Sequence, residues 1–261
     1  MKLATFLLPG ADAPAAGEVR GDEVVAFSDG DTVLDRLASG DRTPADGPSH
    51  ALGDVRLLAP VSRPRVIFGV GLNYAAHARE TGQDLPPAPM VFLKLPSSAA
   101  PPHEDVSVPT AVRRLDYEGE LAVVMGAGGQ VAGYAVANDL SARDLQRREP
   151  QWTRAKGFDN SCPYGPWITT ADEVADPAAL GLKTWVNGEL RQDSSTSDLI
   201  FGVPEIVAFL TETCTLEAGD LILTGTPSGV GQALDPPQFL GSGDRIRIEL
   251  DGLGAIEHSI V

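Results

Sequence analysis

Asp116-Tyr117-Glu118-Gly119-Glu120 opens directly onto the apolar run Leu121-Ala122-Val123-Val124-Met125, so two glutamates stand inside what reads as one strand. Side chains two apart on a strand share a face. Ala122 and Val124 continue the face of Glu118 and Glu120, which turns the pair inward. Adjacent bare carboxylates repel, and buried anions persist only beside a counter-charge. A fold that keeps this strand must set a cation against it, and a divalent ion is the simplest. Taken alone, Glu-x-Glu would read as the solvated face of an edge strand, so the rest of the chain has to decide.

A second acidic element follows, where the apolar run Val131 to Ala137 ends in Asn138-Asp139. Asp139 lies at a strand end, just ahead of Ser141-Ala142-Arg143-Asp144, which reads as a helix start with a capping-box pattern. Three carboxylates can then converge. All-oxygen ligation selects Mg²⁺, Mn²⁺ or Ca²⁺ over zinc. A six-coordinate ion on three protein ligands keeps about three positions for water and substrate, an arrangement suited to a bidentate 2-oxo acid.

Further blocks stand around this core: Phe68-Gly69-Val70-Gly71-Leu72-Asn73-Tyr74-Ala75-Ala76-His77, then Asn138-Asp139-Leu140-Ser141-Ala142-Arg143-Asp144-Leu145-Gln146, then Trp152-Thr153-Arg154-Ala155-Lys156-Gly157-Phe158-Asp159. Cys162-Pro163-Tyr164-Gly165-Pro166-Trp167 and the segment from Gly219 to Gly231 complete the set. Five blocks in this order, from about Leu57 to the end of the chain, resemble the small single-chain members of the fumarylacetoacetate hydrolase superfamily. The resemblance implies metal ligation by Glu118, Glu120 and Asp139, an active-site lysine at Lys156, and substrate contacts from Gln146 and Thr226. It also implies a His-x-x-Glu dyad at His77 and Glu80 on a mobile segment, and a homodimer. Its fold is a mixed β-sandwich roll, mainly β with α.

Residue chemistry agrees with several of these roles. Lys156, flanked by Trp152 and Phe158, is expected in a partly apolar pocket with a depressed pKa. His77 and Glu80, three apart, share a helical face, so the carboxylate can orient the imidazole as a general base. Without the surrounding blocks, Lys156 would read as a surface lysine, the dyad as an exposed helix pair and Gln146 as helix surface. The Pro-rich stretch from Gly82 to Pro89 suits a hinge or lid linker. Tyr74, this lid and the side chains around Tyr164 are the expected specificity determinants. Arg147 is open to two readings, a partner for a second substrate carboxylate or a solvated side chain, and the second is preferred.

Rival chemistries fail on specific residues. Gly69-Val70-Gly71 follows a strand-like segment, but Tyr74 stands where a dinucleotide site needs its third glycine. The turn from Thr224 to Gly231 lacks the Gly-Lys-Ser/Thr ending of a phosphate loop. Cys162 and Cys214 make no disulfide framework, and the setting of Cys162 reads as structural. A net charge of −16 argues against nucleic acid and anionic membranes. No apolar run approaches the roughly 20 residues of a membrane helix, and Leu3 to Leu8 is short for a signal segment. The expectation is a soluble, cytoplasmic protein.

Residues 1–58 read as a small N-terminal β region, with strand-like pieces at Leu3 to Leu8 and Val24 to Phe27 and a short helix near Val33 to Ala38. Residues 59–261 read as the catalytic part, with a helix over Pro204 to Thr211 and a terminal strand over Ile246 to Leu250. Strand runs without regular βα alternation argue against Rossmann and TIM architectures. The expected function is metal-dependent hydrolysis of a C–C bond in an acylpyruvate-like diketo acid. Its alternatives are decarboxylation of an oxaloacetate-type acid, and isomerisation or tautomerisation of a 2-hydroxydienoate or 2-oxo acid.

Overall fold

The computed structural model describes residues 1–261. Its main body is a twelve-stranded mixed sheet. Along its path the strands run Ser49–Ala51, Glu23–Ala26, Ala15–Arg20, Lys2–Leu7, Cys162–Thr170, Val131–Asn138, Gly119–Met125, Leu221–Leu223, Ile67–Gly71 and Met90–Lys94. A second sheet of four antiparallel strands, Glu189–Ser195, Gly181–Val186, Arg245–Leu250 and Gly254–Ser259, packs against it.

The central strand Gly119–Met125 shows why this sequence chooses a two-sided sheet. Leu121, Val123 and Met125 enter the core shared with Ile246, Ile248 and Leu250 of the second sheet. Ala122 and Val124 enter the opposite core, with Val33 and Leu37 of the helix Val33–Ser39. A strand covered on both faces must be apolar at every position. Burial of each such aliphatic side chain contributes on the order of 1.5–3 kcal/mol.

The acidic run departs from one continuous strand. Leu115–Asp116 pairs with Ser141–Ala142, and the ladder restarts only at Gly119. Between them the Glu118 N–H donates to Asn138 Oδ1 at 3.0 Å, while the Asp139 N–H donates to the Glu118 carbonyl at 2.9 Å. A side-chain partner replaces the ladder at this point. Gly119 is needed for another reason: a Cβ there would lie 2.4 Å from Thr184 Oγ1 of the second sheet, whose Gln192 accepts the Gly119 N–H at 3.0 Å.

The N-terminal strands extend the same sheet, Leu3 facing Ile168 across an antiparallel pair. Arg56–Leu57 is the last of them, pairing with Lys2–Leu7. Val33–Ser39 is closed by a Thr32–Asp35 capping box and by Gly40 in the left-handed region at φ 72°. The helix Val203–Thr211 carries Pro204 in its first turn, and Glu205 accepts the Gly202 N–H at 2.7 Å. Ser141 does not cap a helix as its sequence suggests. Its hydroxyl turns back to the Asp139 carbonyl at 2.8 Å, and the helix Arg143–Arg148 starts without a side-chain cap. No helix is long and apolar enough to cross a membrane.

Candidate metal centre

Strand pairing brings the three acidic residues together from opposite ends of two neighbouring strands. Glu120 lies on Gly119–Met125, Glu118 precedes that strand, and Asp139 follows Val131–Asn138, which pairs with it in antiparallel register. One carboxylate oxygen from each falls within 4.8 Å of the others, and all three residues are buried. The donor set is oxygen only, as a hard divalent cation requires.

The surrounding charges were mostly invisible in the sequence. Lys156 Nζ donates to Glu118 Oε2 at 2.5 Å and to Asp139 Oδ2 at 2.7 Å. Lys94 Nζ donates to Asp139 Oδ1 at 2.7 Å. Arg143 Nε donates to Asp116 Oδ2 at 2.9 Å, and its Nη2 lies 2.6 Å from Glu118 Oε1, an ion pair by distance though poorly aligned as a hydrogen bond. Four buried carboxylates (Asp116, Glu118, Glu120, Asp139) thus face three buried cations (Lys94, Arg143, Lys156). The remaining negative charge falls on Glu120, whose Oε2 accepts only the Gly225 N–H, at 2.6 Å. Burial and the neighbouring Asp139 and Glu118 push its pKa well above the usual carboxylate range. Ionising Glu120 would leave the cluster with one negative charge in excess on an all-oxygen donor set, which fits a bound divalent cation.

Lys156 differs from its expected state. Burial pulls its pKa down, but Asp139 and Glu118 outweigh burial and hold it above the ordinary lysine value. The ring beneath its ammonium is that of Phe92, 5.0 Å away, and Trp152 packs on Phe92. Only the distant carboxylates could have revealed this.

These groups open into a cleft of about 300 Å³. Glu118, Glu120, Lys156, His77, Gln146 and Thr226 all line it, as do Arg143 and Arg147. His77 Nδ1 meets Glu80 Oε2 at 3.0 Å on the helix Ala75–Glu80. A carboxylate can only accept, so Nδ1 is the donor in this contact, and in the neutral ring Nε2 is then the acceptor. Glu80 Oε1 also accepts the Gly229 N–H at 2.8 Å, which ties the dyad to the glycine-rich turn. Thr81 and Gln83, at the start of the Pro-rich stretch, line the cleft as well. The Thr226 hydroxyl is already engaged, donating to the Gly119 carbonyl at 3.0 Å and accepting from Gln192 at 2.8 Å.

Tyr74 is not at the cleft wall where specificity would be set. It is fully buried, its hydroxyl has no partner, and burial together with the Glu120 and Asp198 charges raises its pKa. Tyr164 is likewise buried, its hydroxyl bonded to the backbone of Val61. Cys162 is buried and its thiol is pushed up to about 12, which removes it as a nucleophile near neutral pH.

Asp116 is the residue that sequence reading passed over. It accepts from the N–H groups of Tyr117, Gly231 and Gln232 and from Arg143. One carboxylate therefore joins the acidic segment, the glycine-rich turn and the cationic helix. The available signal was its place at the head of the Asp-Tyr-Glu-Gly-Glu run.

Residues 66–261 match the family described as fumarylacetoacetate (FAA) hydrolase, C-terminal. The chain is 44% identical over 226 residues to the oxaloacetate tautomerase YisK of Bacillus subtilis, covering 81% of this chain and 75% of that one. It is similar in structure to a fumarylacetoacetate hydrolase from Exiguobacterium antarcticum, with a TM-score of 0.89, 35% identity and coverage of 100% and 99% of the two chains. The 5-carboxymethyl-2-hydroxymuconate delta-isomerase from Mycobacterium smegmatis superposes with a TM-score of 0.84 at 34% identity, again covering 100% and 99%.

Proposed function

The chain belongs to the fumarylacetoacetate hydrolase family, and from that premise we propose that it is a divalent-metal-dependent tautomerase of an oxaloacetate-like 2-oxo acid. The likeness to an oxaloacetate tautomerase and to a muconate isomerase supports proton transfer over the C–C hydrolysis expected from the dyad alone. The observation that carries the reading is the pairing of a proton acceptor with an anion-stabilising group on one small cleft: His77, with Nε2 free, and the buried ammonium of Lys156.

Glu118, Glu120 and Asp139 would hold Mg²⁺ or Mn²⁺, which supplies Lewis acidity toward the oxygens of a 2-oxo acid. His77 Nε2 takes a proton from the carbon next to the 2-oxo group, and Glu80 stabilises the imidazolium that forms. The electron pair moves to the 2-oxo oxygen, where Lys156 and Arg143 stabilise the developing charge. The His77 imidazolium passes the same proton to that oxygen, which completes the enol and restores the neutral ring, and the reverse sequence returns the keto acid. The surrounding Phe92 and Trp152 limit water near the reacting carbon. The active form is proposed to be a homodimer, an assembly favoured by exposed Leu93 and Leu95 at the sheet's Met90–Lys94 edge.

The test is to follow enol–keto interconversion of oxaloacetate by ultraviolet absorbance with Mg²⁺ and with EDTA, and acetylpyruvate cleavage in parallel. Metal-dependent interconversion without acetate release is expected. Acetate and pyruvate from acetylpyruvate, with no acceleration of oxaloacetate tautomerisation, would overturn the reading in favour of hydrolysis.

A further inference from the structure

We infer that Arg147 determines specificity by receiving the distal carboxylate of a dicarboxylic 2-oxo acid, an assignment that rests on the cleft being a 2-oxo acid site. Every other lysine or arginine at the cleft is committed. Arg143 is paired with Asp116 and Glu118, and Lys156 with Glu118 and Asp139. Lys94, behind them, is held by Asp139. Arg147 lines the same cleft, is exposed, and makes no ion pair. Its side chain donates to a neutral acceptor, Gln232 Oε1, at 3.2 Å.

Position strengthens the assignment. Arg143 and Arg147 are four apart on the helix Arg143–Arg148, so they share a face. That face runs from the metal carboxylates to the rim, an advance of about 6 Å, which is the scale of a short diacid. Gln232 is itself anchored, its N–H bonded to Asp116 Oδ2 at 3.0 Å. An arginine whose partner is an amide can exchange it for a carboxylate, gaining charge and paired hydrogen bonds. A local cation is also required, because a chain of net charge −16 repels a dianion at long range. The solvated state expected from sequence is then the resting state of a binding group.

The experiment measures dissociation constants by calorimetry with Mg²⁺ present for wild type, Arg147→Met and Arg147→Lys. The probes are oxalate, which offers only the head group; malate, a four-carbon diacid; and 2-hydroxybutyrate, with a methyl in place of the far carboxylate. Wild type should bind malate at least about tenfold more tightly than 2-hydroxybutyrate. Arg147→Met should abolish that preference and leave oxalate binding within about twofold, while Arg147→Lys keeps part of it. Equal weakening of all three probes in Arg147→Met, an unchanged malate preference, or no preference in wild type would each overturn the assignment. Failure to accelerate oxaloacetate tautomerisation while the Arg147-dependent malate preference persists would overturn the tautomerase reading alone.

Discussion

Glu118 and Glu120 are separated by one residue, yet replacing each by glutamine should move the stability of the metal-free protein in opposite directions. Glu118 is flanked by Arg143 and Lys156, at 2.6 Å and 2.5 Å. Burial raises its pKa, but these two cations outweigh burial and hold it below the usual range. Its ionised form therefore contributes stability above its ordinary value of 4.5, and that contribution is lost as pH falls below it. Glu118→Gln leaves two buried cations short of a partner, a loss of about 3–5 kcal/mol. Glu120 has no ion pair, and its raised pKa reverses the sign. Above pH 4.5 the unfolded chain ionises this group while the folded state resists, so stability falls as pH rises. At pH 7 the cost cannot exceed that of protonating an ordinary glutamate, at about 1.4 kcal/mol per pH unit above its usual 4.5, or roughly 3 kcal/mol. A neutral glutamine escapes this cost. Calorimetric melting in EDTA at pH 7 should place Glu120→Gln above wild type by up to roughly 6–12 °C, and Glu118→Gln below it by at least as much. Near pH 4.5 the advantage of Glu120→Gln should vanish. Adding Mg²⁺ or Mn²⁺ should stabilise wild type more than either variant. If Glu120→Gln melts below wild type in EDTA, the charge accounting at the cluster is wrong; if the metal stabilises it as strongly as wild type, Glu120 is not a ligand.

Asp116→Asn should lower stability by about 3 kcal/mol, because an amide has one acceptor oxygen and cannot serve both the Oδ2 partners, Arg143 and the Gln232 N–H, and the Oδ1 partners, the Tyr117 and Gly231 N–H groups; denaturant titration checks this, and an unchanged midpoint would refute it. Gly229→Ala should cost about 2 kcal/mol or more and reduce turnover, since Gly229 sits at φ 98° and a Cβ would lie 2.0 Å from the Arg191 carbonyl; wild-type melting and kinetics would count against the need for that close approach. Burial pulls His258 down to about 4, and its Nε2 faces Asn138 Nδ2 at 3.1 Å. Because the unfolded chain takes up this proton first, up to about 3 kcal/mol of stability should disappear as pH falls from 6.5 to 4. His258→Gln, which keeps an acceptor for Asn138, should flatten that part of the stability curve, and an identical curve would remove His258 as its source.

Local chemistry carried far in this chain. The inward Glu118 and Glu120, the three-residue spacing of His77 and Glu80, the apolar alternation of Arg245–Leu250 and the turn signals around Val203–Thr211 all depend on neighbours within a few positions. A sequence displays such patterns directly. Periodicity also separated this sheet-rich fold from βα architectures.

How the charges are shared depends on contacts made across the fold. The contacts Arg143 to Asp116, Lys156 to Glu118 and Lys94 to Asp139 join residues 27, 38 and 45 positions apart. Each partner looked ordinary in its own segment. For that reason Lys156 is not depressed but held charged, Glu118 and Glu120 occupy opposite electrostatic states, and Tyr74 lies behind the cleft wall. Arg147 was ambiguous in sequence because its meaning depends on which neighbouring cations already have partners. Residue order is enough to say which chemical groups exist and which short segments present them. The antiparallel joining of Gly119–Met125 to Val131–Asn138, with the second sheet packed over it, decided which charges are neutralised, because Coulomb energy depends on distances and burial that only the folded chain establishes.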